Sequence, residues 1–147
     1  MLLKLLHRYF AFSRGMTLGV RAACFDEQGR IFLVRHTYVS GWHMPGGGVE
    51  YHETVKQALE KELREEGNLV MTTAPRLFSI YYNTNASKRD HVLLYQVRVT
   101  QTAPKIPDRE IKKSGFFALD ALPPGTIQAT HARLAEINGD APPADFW

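Results

Sequence analysis

The residues best suited to chemistry are the glutamates of one segment, Thr54 to Glu66, with the sequence TVKQALEKELREE. The segment has good helix formers and no glycine or proline, so we predict a helix over it. Stepping about 100° per residue places Glu62 and Glu66 within the apolar face of this helix and Glu65 beside that face. Carboxylates one turn apart repel each other and are costly to bury unpaired. The pattern indicates either a shared cation or a solvated, frayed helix end.

A glycine-rich loop, PGGG at 45–48, precedes this helix and favours the cation. Glycine lets a backbone approach a ligand closely. Clustered carboxylate oxygens suit Mg²⁺, with Mn²⁺ as the second choice, and a helix leaves part of the coordination shell to water and phosphate oxygens. The loop is neither a Walker loop nor a dinucleotide-binding fingerprint, because Tyr51 occupies the third glycine position. Loop and helix together indicate metal and phosphate chemistry.

The spacing of these residues resembles the signature of Nudix hydrolases, G-x5-E-x7-R-E-U-x-E-E-x-G-U, in which U is aliphatic. The resemblance runs from Gly47 to Leu69, and the preceding GWHMPGG at 41–47 is similar to the W-x-x-P-G-G run common in that family. Two positions depart from the signature: Lys61 stands where the family has arginine, and Asn68 stands where it has the final glycine.

The resemblance implies an α/β fold, the Nudix-type α/β/α sandwich with a mixed β-sheet. Residues 1–147 would form a single Nudix hydrolase domain, with an N-terminal helix at 1–12, the Nudix box at 47–69 and an irregular tail at 139–147. It also implies an enzyme: a Mg²⁺-dependent hydrolase that acts on phosphoric anhydride bonds of nucleoside diphosphate-linked compounds.

By the same resemblance, four groups would bind the metal: the carbonyl of Gly46 and the side chains of Glu62, Glu65 and Glu66. Family members often add a carboxylate in a loop before the last strand, and Glu110 is placed for this role, with a solvated turn residue as the alternative. Asp90 is a weaker substitute. Either Glu62 or Glu110 would be the catalytic base.

Other positions are expected to shape the site or to bind the substrate. Gly47, Glu53 and Lys61 would support the loop and the start of the helix, although lysine lacks the planar fork with which arginine orients a carboxylate. Asn68 can end the helix, because asparagine tolerates the left-handed conformation better than most residues. Arg35, at the end of a strand that leads to the loop, is either a diphosphate contact or part of a surface salt bridge.

The resemblance implies a small-molecule nucleotide substrate, and the group linked to the diphosphate stays open among nucleoside triphosphates, nucleotide sugars and ADP-ribose. The segment from Thr84 to Ser87 lacks the proline or tyrosine that often marks family subtypes. Two alternatives remain: a Nudix-fold module that senses a nucleotide without turnover, for which Lys61 is the best support, and an RNA 5′-pyrophosphohydrolase. A net charge of +3, without a run of five like charges, disfavours RNA and offers no footprint for DNA.

The elements that must position these residues are visible as alternating patterns. We predict strands at 17–26, 31–36, 77–82, 91–100 and 115–119, and a final helix at 127–137. The N-terminal helix is expected to pack on the domain; a membrane-surface helix or a homodimer-forming helix is the alternative.

The composition places the chain among ordinary globular domains. It is 44% hydrophobic and 22% charged, with a single cysteine, Cys24, that excludes an internal disulfide and is expected to be a buried thiol. No stretch reaches the roughly 18 apolar residues of a membrane span. A poor match to a signal peptide and a free cysteine lead us to expect a cytoplasmic protein.

Overall fold

Seven strands form one sheet in the computed structural model, which describes residues 1–147. The strands are β1 (Thr17–Phe25), β2 (Ile31–His36), β3 (Gly46–Gly48), β4 (Leu69–Met71), β5 (Arg76–Tyr82), β6 (Asp90–Gln101) and β7 (Ile111–Phe117). β1 and β6 run parallel, whereas the other pairs are antiparallel. The predicted mixed sheet is confirmed.

The chain has three helices, α1 (Leu2–Ser13), α2 (Val55–Gly67) and α3 (Gln128–Asn138). The faces of the sheet are covered by α2 and α3, one on each side. Alternation along β2 divides its side chains between two cores, because successive residues of a strand point to opposite faces. Phe32 and Val34 belong to the core that α2 covers, and Leu33 packs with Leu134 of α3. The architecture is therefore the expected α/β/α sandwich.

β1 and β2 separate along their length, and β3 fills the gap between them. The two long strands pair at Phe25 and Ile31. Farther along, Arg21 of β1 faces Gly46 of β3, and Val34 of β2 forms a bridge with His43. The glycine-rich loop is thus held between two central strands.

Both ends of α2 have the residues that a helix end requires. The Thr54 side chain accepts a hydrogen bond from the Gln57 N–H, and the Gln57 side chain accepts one from the Thr54 N–H, which is a capping box. At the other end Asn68 adopts φ 53° and ψ 37°. Because this is the left-handed conformation expected of Asn68, the departure from glycine leaves the helix end intact.

The last strand and one short strand differ from the sequence-based prediction. The last strand was expected at 115–119 but occupies Ile111–Phe117. Its first half includes the exposed Lys112 and Lys113, which an edge strand tolerates because one of its edges faces solvent. β4 (Leu69–Met71), three residues long, was not predicted, since so short a strand has no visible alternation.

The expected packing of the N-terminal helix on the domain is wrong. α1 forms at the predicted place, but none of its residues is buried. Leu2 is 74% exposed and Phe12 is 85% exposed. None of the three helices combines the length and the hydropathy that a membrane-spanning segment has.

Candidate active site

Glu66 is the buried centre of the carboxylate cluster, and it connects three elements. Glu66 belongs to α2, and its side chain is buried, as its position on the apolar face of the helix predicts. One carboxylate oxygen, Oε1, lies 2.9 Å from Nε2 of His36 in β2. The other, Oε2, accepts a hydrogen bond of 2.9 Å from the N–H of Gly46 in β3. The acidic end of α2 is therefore attached directly to the glycine loop.

Two glycines of this loop, Gly46 and Gly47, lie in close contact with their surroundings. A Cβ atom at Gly47 would lie 2.5 Å from Oε1 of Glu62, so that carboxylate rests directly against the backbone of the loop. A Cβ atom at Gly46 would overlap the carbonyl oxygen of Val20, and Gly46 has a positive φ of 151°. Position 46 therefore requires glycine, because a Cβ there would meet backbone, whereas a Cβ at position 47 would displace the end of the Glu62 side chain.

The three glutamates of α2 place uncompensated negative charge beside the loop. Burial, and then the charges of Glu66 and Glu65, raise the pKa of Glu62 to about 7. The cations Lys61 and Arg21 oppose this shift but do not cancel it. A divalent cation would relieve the repulsion, so this set of donors fits Mg²⁺.

The side chains are arranged along α2 rather than gathered around a point. No group of three or more His, Cys, Asp or Glu side chains meets at metal-binding distances. Glu66 is buried, Glu62 is half-buried and Glu65 is exposed, so the three differ in depth. Each oxygen of the Glu66 carboxylate already has one partner and keeps a second lone pair for another.

Glu53 and Lys61 support the loop from the side. Nζ of Lys61 lies 3.1 Å from both carboxylate oxygens of Glu53. The Glu53 carboxylate also accepts a hydrogen bond of 2.7 Å from the N–H of Glu50. These bonds lower the pKa of the Glu53 carboxyl, the backbone N–H contributing most and Lys61 next. Glu53 thus joins the loop to α2, and Lys61 holds the Glu53 carboxylate in place.

Glu110 lies immediately before β7 and borders the outer side of the cluster. It and Glu65 line the same groove, whose volume is about 430 Å³ and which also contains Lys105 and Asp108. The carbonyl oxygen of Glu110 accepts a hydrogen bond from the Thr37 N–H. A separate cavity of about 530 Å³ lies beside α3 and contains none of the predicted site residues.

Arg35 and Asp90 do not join the cluster. Arg35 is half-buried and forms none of the five salt bridges of the chain. By strand alternation it follows Leu33 toward the face of the sheet opposite α2. Asp90 instead accepts hydrogen bonds from Thr17 and Asn83 and joins β1 to the loop before β6.

Three aromatic residues of the site were missed in the sequence. His36 contacts Glu66 directly, and its ring centroid lies 5.1 Å from that of Tyr38 and 5.6 Å from that of His43. Burial, followed by the charge of Glu66, raises the pKa of Tyr38. Alternation in β2 could have identified His36, since it lies two residues after Val34 on the face that α2 covers.

Comparisons with known proteins agree with this geometry. A family model described as a NUDIX domain matches residues 15–136. An ADP-ribose pyrophosphatase of Methanocaldococcus jannaschii is 28% identical over 103 residues, which are 67% of this chain and 60% of that protein. An RNA pyrophosphohydrolase of Halorhodospira halophila is 39% identical over 57 residues, 39% of this chain and 32% of that protein. The chain thus spans less than two thirds of the length of these curated relatives.

Solved structures share the fold over nearly the whole chain. An ADP-ribose pyrophosphatase from Streptococcus suis is 27% identical, with a TM-score of 0.63 over 88% of this chain and 96% of that one. A MutT NUDIX hydrolase from Burkholderia pseudomallei is 25% identical, with a TM-score of 0.66 over 82% of this chain and 97% of that one. The NUDIX domain of Shewanella oneidensis NrtR, solved with ADP ribose, has a TM-score of 0.70 over 94% of this chain and 96% of that one. Its sequence identity is only 18%, so the likeness is one of fold alone.

Proposed function

Because this chain belongs to the Nudix family of diphosphate-bond hydrolases, we propose that it is a Mg²⁺-dependent pyrophosphohydrolase of small nucleoside diphosphate derivatives. One observation carries the proposal: the buried Glu66 carboxylate joins the acidic face of α2 to the N–H of Gly46. This contact sets acidic side chains beside backbone that nothing larger than glycine could form. Such a combination suits a cation and the phosphate oxygens that it binds.

We assign metal binding to Glu62, Glu65, Glu66 and the carbonyl of Gly46. When bound, Mg²⁺ would neutralise diphosphate oxygens and lower the pKa of the attacking water. Glu62 is the favoured base, because its half-buried carboxylate rests directly against the glycine loop, beside the proposed metal ligand Gly46. Glu110 is the alternative base, on the outer side of the groove that it shares with Glu65.

Other residues would orient the substrate or the metal ligands. His36 holds one oxygen of Glu66 and so sets the direction of that carboxylate. Arg35, predicted as a diphosphate contact, follows Leu33 toward the face of the sheet opposite α2, so we do not include it in the proposed substrate site. We propose a cytoplasmic location, and we treat residues 1–147 as one functional unit.

Among substrates, ADP-ribose is the first choice, because two of the similar proteins are named ADP-ribose pyrophosphatases. Nucleotide sugars and nucleoside triphosphates come next. The RNA 5′ end is a second candidate substrate, since an RNA pyrophosphohydrolase is 39% identical to this chain over 57 residues. Turnover of each is measurable as released phosphate, diphosphate or mononucleotide.

The test is a hydrolysis screen of these compounds with Mg²⁺ and with Mn²⁺. We expect turnover of at least one nucleoside diphosphate derivative, and a loss of at least about 100-fold in Glu66→Gln, since glutamine cannot supply the carboxylate charge. Glu60→Gln, an exposed position on the solvent side of the same helix, is the matched control and should retain activity.

Each other result has a defined meaning. Unchanged turnover in Glu66→Gln would overturn the site. Nucleotide binding without hydrolysis by the wild-type protein would indicate the sensing module instead. Hydrolysis of 5′-triphosphate RNA alone, with an affinity that falls steeply as salt rises, would indicate the RNA enzyme.

A further inference from the structure

α1 is an apolar helix that the domain leaves uncovered. Its twelve residues have the sequence LLKLLHRYFAFS, and none of them is buried. The Arg89 side chain donates hydrogen bonds to the carbonyl oxygens of Phe12 and Gly15, so the end of the helix is attached to the domain through its backbone. The apolar side chains are therefore presented to the surroundings on a tethered helix.

The apolar and basic residues of α1 lie on opposite sides. Stepping about 100° per residue gives one continuous apolar side that covers about half of the circumference. That side carries Leu2, Leu3, Leu5, Leu6, Tyr9, Phe10 and Phe12. Lys4, His7 and Arg8 lie together on the other side. This combination of a leucine- and phenylalanine-rich side and a basic side is typical of helices that bind at a membrane surface.

The charge of the surrounding segment has one sign. Between residue 1 and Phe25 there is no aspartate or glutamate, and the first acidic residue is Asp26. α1 and the residue that follows it carry the exposed cations Lys4, Arg8 and Arg14. A purely basic segment is complementary to anionic lipid headgroups, each cation near the surface adding to the attraction.

We propose that α1 binds the surface of an anionic membrane, with its apolar side in the headgroup boundary and Lys4 and Arg8 toward the lipid phosphates. The helix has 12 residues. At about 1.5 Å per residue it is roughly 18 Å long, too short for a hydrocarbon core about 30 Å thick. It therefore lies along the surface and does not cross the bilayer. Met16 and Leu18, which follow α1 in the chain, are also exposed.

A second copy of the chain is a poorer occupant of this surface. Half of the lateral area of a helix roughly 18 Å long and about 10 Å wide is roughly 300 Å². A stable protein–protein interface buries roughly 800 Å² on each partner. Pairing of two α1 helices alone would fall short of this area, whereas insertion at a lipid surface needs no minimum contact area and gains from every basic residue.

Co-sedimentation with lipid vesicles tests the proposal. The full chain is mixed with vesicles of phosphatidylcholine alone or of equal parts phosphatidylcholine and phosphatidylglycerol. We expect binding to the anionic vesicles, weakened by raising the salt from about 0.05 M to about 0.5 M because salt screens the headgroup charge. The double substitution Lys4→Glu and Arg8→Glu reverses two charges and should lower the vesicle–water partition coefficient at least about tenfold. The single substitution Phe12→Ser should lower this coefficient as well.

Matched controls separate the helix from general surface effects. Lys112→Glu and Ile106→Ser alter exposed residues of the same types elsewhere and should leave vesicle binding unchanged. Phe12→Ser removes a side chain that is 85% exposed, so the thermal unfolding temperature should be preserved. Equal binding to neutral vesicles, equal binding by the α1 variants, or a lipid-free dimer that the α1 variants dissociate would each overturn the proposal.

Discussion

His36 and the Gly46 N–H hold the Glu66 carboxylate from two directions, at 2.9 Å each. Two such bonds on a buried carboxylate restrict its rotation, because leaving either oxygen without a partner in the interior is costly. A metal ligand benefits from this restriction, since outer-shell hydrogen bonds set the direction of a coordinating oxygen. Glu66 is therefore best suited to be the fixed ligand of the proposed metal site.

Lys61 performs the supporting role expected of arginine. Its Nζ atom reaches both oxygens of Glu53, so we expect Lys61→Arg to change the hydrolysis rate by no more than about threefold. Lys61→Ala should lower kcat at least about tenfold, because the loop that Glu53 holds would lose its anchor. Steady-state kinetics on the two variants measure the difference. A rate increase of orders of magnitude in Lys61→Arg would mean that the missing guanidinium limits catalysis.

The raised pKa of Glu62 gives a pH-dependent prediction for stability. The folded state binds the Glu62 proton more tightly than the unfolded state, so between about pH 4.5 and about pH 7 the free energy of unfolding falls as pH rises. Without divalent cations, Glu62→Gln should therefore raise Tm by about 3 °C at pH 8, roughly 1 kcal/mol for a partly screened group, and by less at pH 5.

Adding Mg²⁺ checks the same linkage from the other side. We expect the wild-type Tm to rise at pH 8, where Glu62 is ionised and the cation relieves the repulsion, and to rise less at pH 5. Glu60→Gln serves as the control, because its carboxylate is exposed to solvent. An equal effect of Glu62→Gln at both pH values would contradict the role of burial and of the neighbouring charges.

At the scale of the element, the end of α2 depends on one residue in an unusual conformation. Asn68 has a φ of 53°, and its N–H donates to carbonyl oxygens of the last helical turn. We expect Asn68→Ala to lower the free energy of unfolding by about 1 kcal/mol. A Cβ atom disfavours the left-handed region, and alanine lacks the polar side chain with which asparagine compensates by local hydrogen bonds. Chemical denaturation measures this change.

Asn68→Gly is the matched comparison. Glycine adopts a positive φ without steric cost, so this variant should unfold within about 0.5 kcal/mol of the wild-type protein. If alanine and glycine were equally destabilising, the contacts of the Asn68 amide with the carbonyl oxygens of Ala103 and Pro104 would explain the effect better than the backbone conformation.

Helix periodicity predicted elements well where both the packed side and the solvent side are visible in the sequence. α2 begins one residue after its predicted start and ends one residue after its predicted end. β7 was misplaced because its edge position lets Lys112 and Lys113 stand where a buried strand would have apolar residues. For α1 the helix was predicted correctly but its packing on the domain was predicted wrongly, since an apolar face does not say what covers it.

At the scale of the whole molecule, the C-terminal tail joins α3 to β5. The Trp147 N–H donates to the carbonyl oxygen of Tyr82, and the indole ring packs edge-on against Tyr81 at 5.4 Å. The Arg133 guanidinium of α3 lies over both the Tyr81 and the Trp147 rings and donates to the carbonyl oxygen of Phe146. The tail, described from its sequence as irregular, is held by specific contacts.

Trp147→Ala should therefore destabilise the fold by about 2 kcal/mol, because it removes aromatic contact from a partly buried position. Thermal or chemical unfolding provides the measurement. Ile106→Ala, at an exposed position outside the two cores, is the control and should have little effect. Equal stability of the wild-type and Trp147→Ala proteins would mean that the tail rests on the domain without supporting it.

The sequence alone predicted the candidate site residues and the order of most elements. Residue types and helical spacing suffice to place Glu62, Glu65 and Glu66 on one side of α2, because a helix is a local structure with a fixed period. The same local rules predicted the left-handed end of that helix at Asn68. A match over residues 15–136 then confirms the family.

Only the tertiary structure decided which distant residues meet these carboxylates. His36 lies 30 positions from Glu66 and Gly46 lies 20 positions from it, and both contacts depend on where β2 and β3 pass α2. The pKa of Glu62 likewise depends on burial and on neighbouring charges, which spacing does not reveal. Long-range packing also left α1 exposed, because the sheet faces were already covered by α2 and α3.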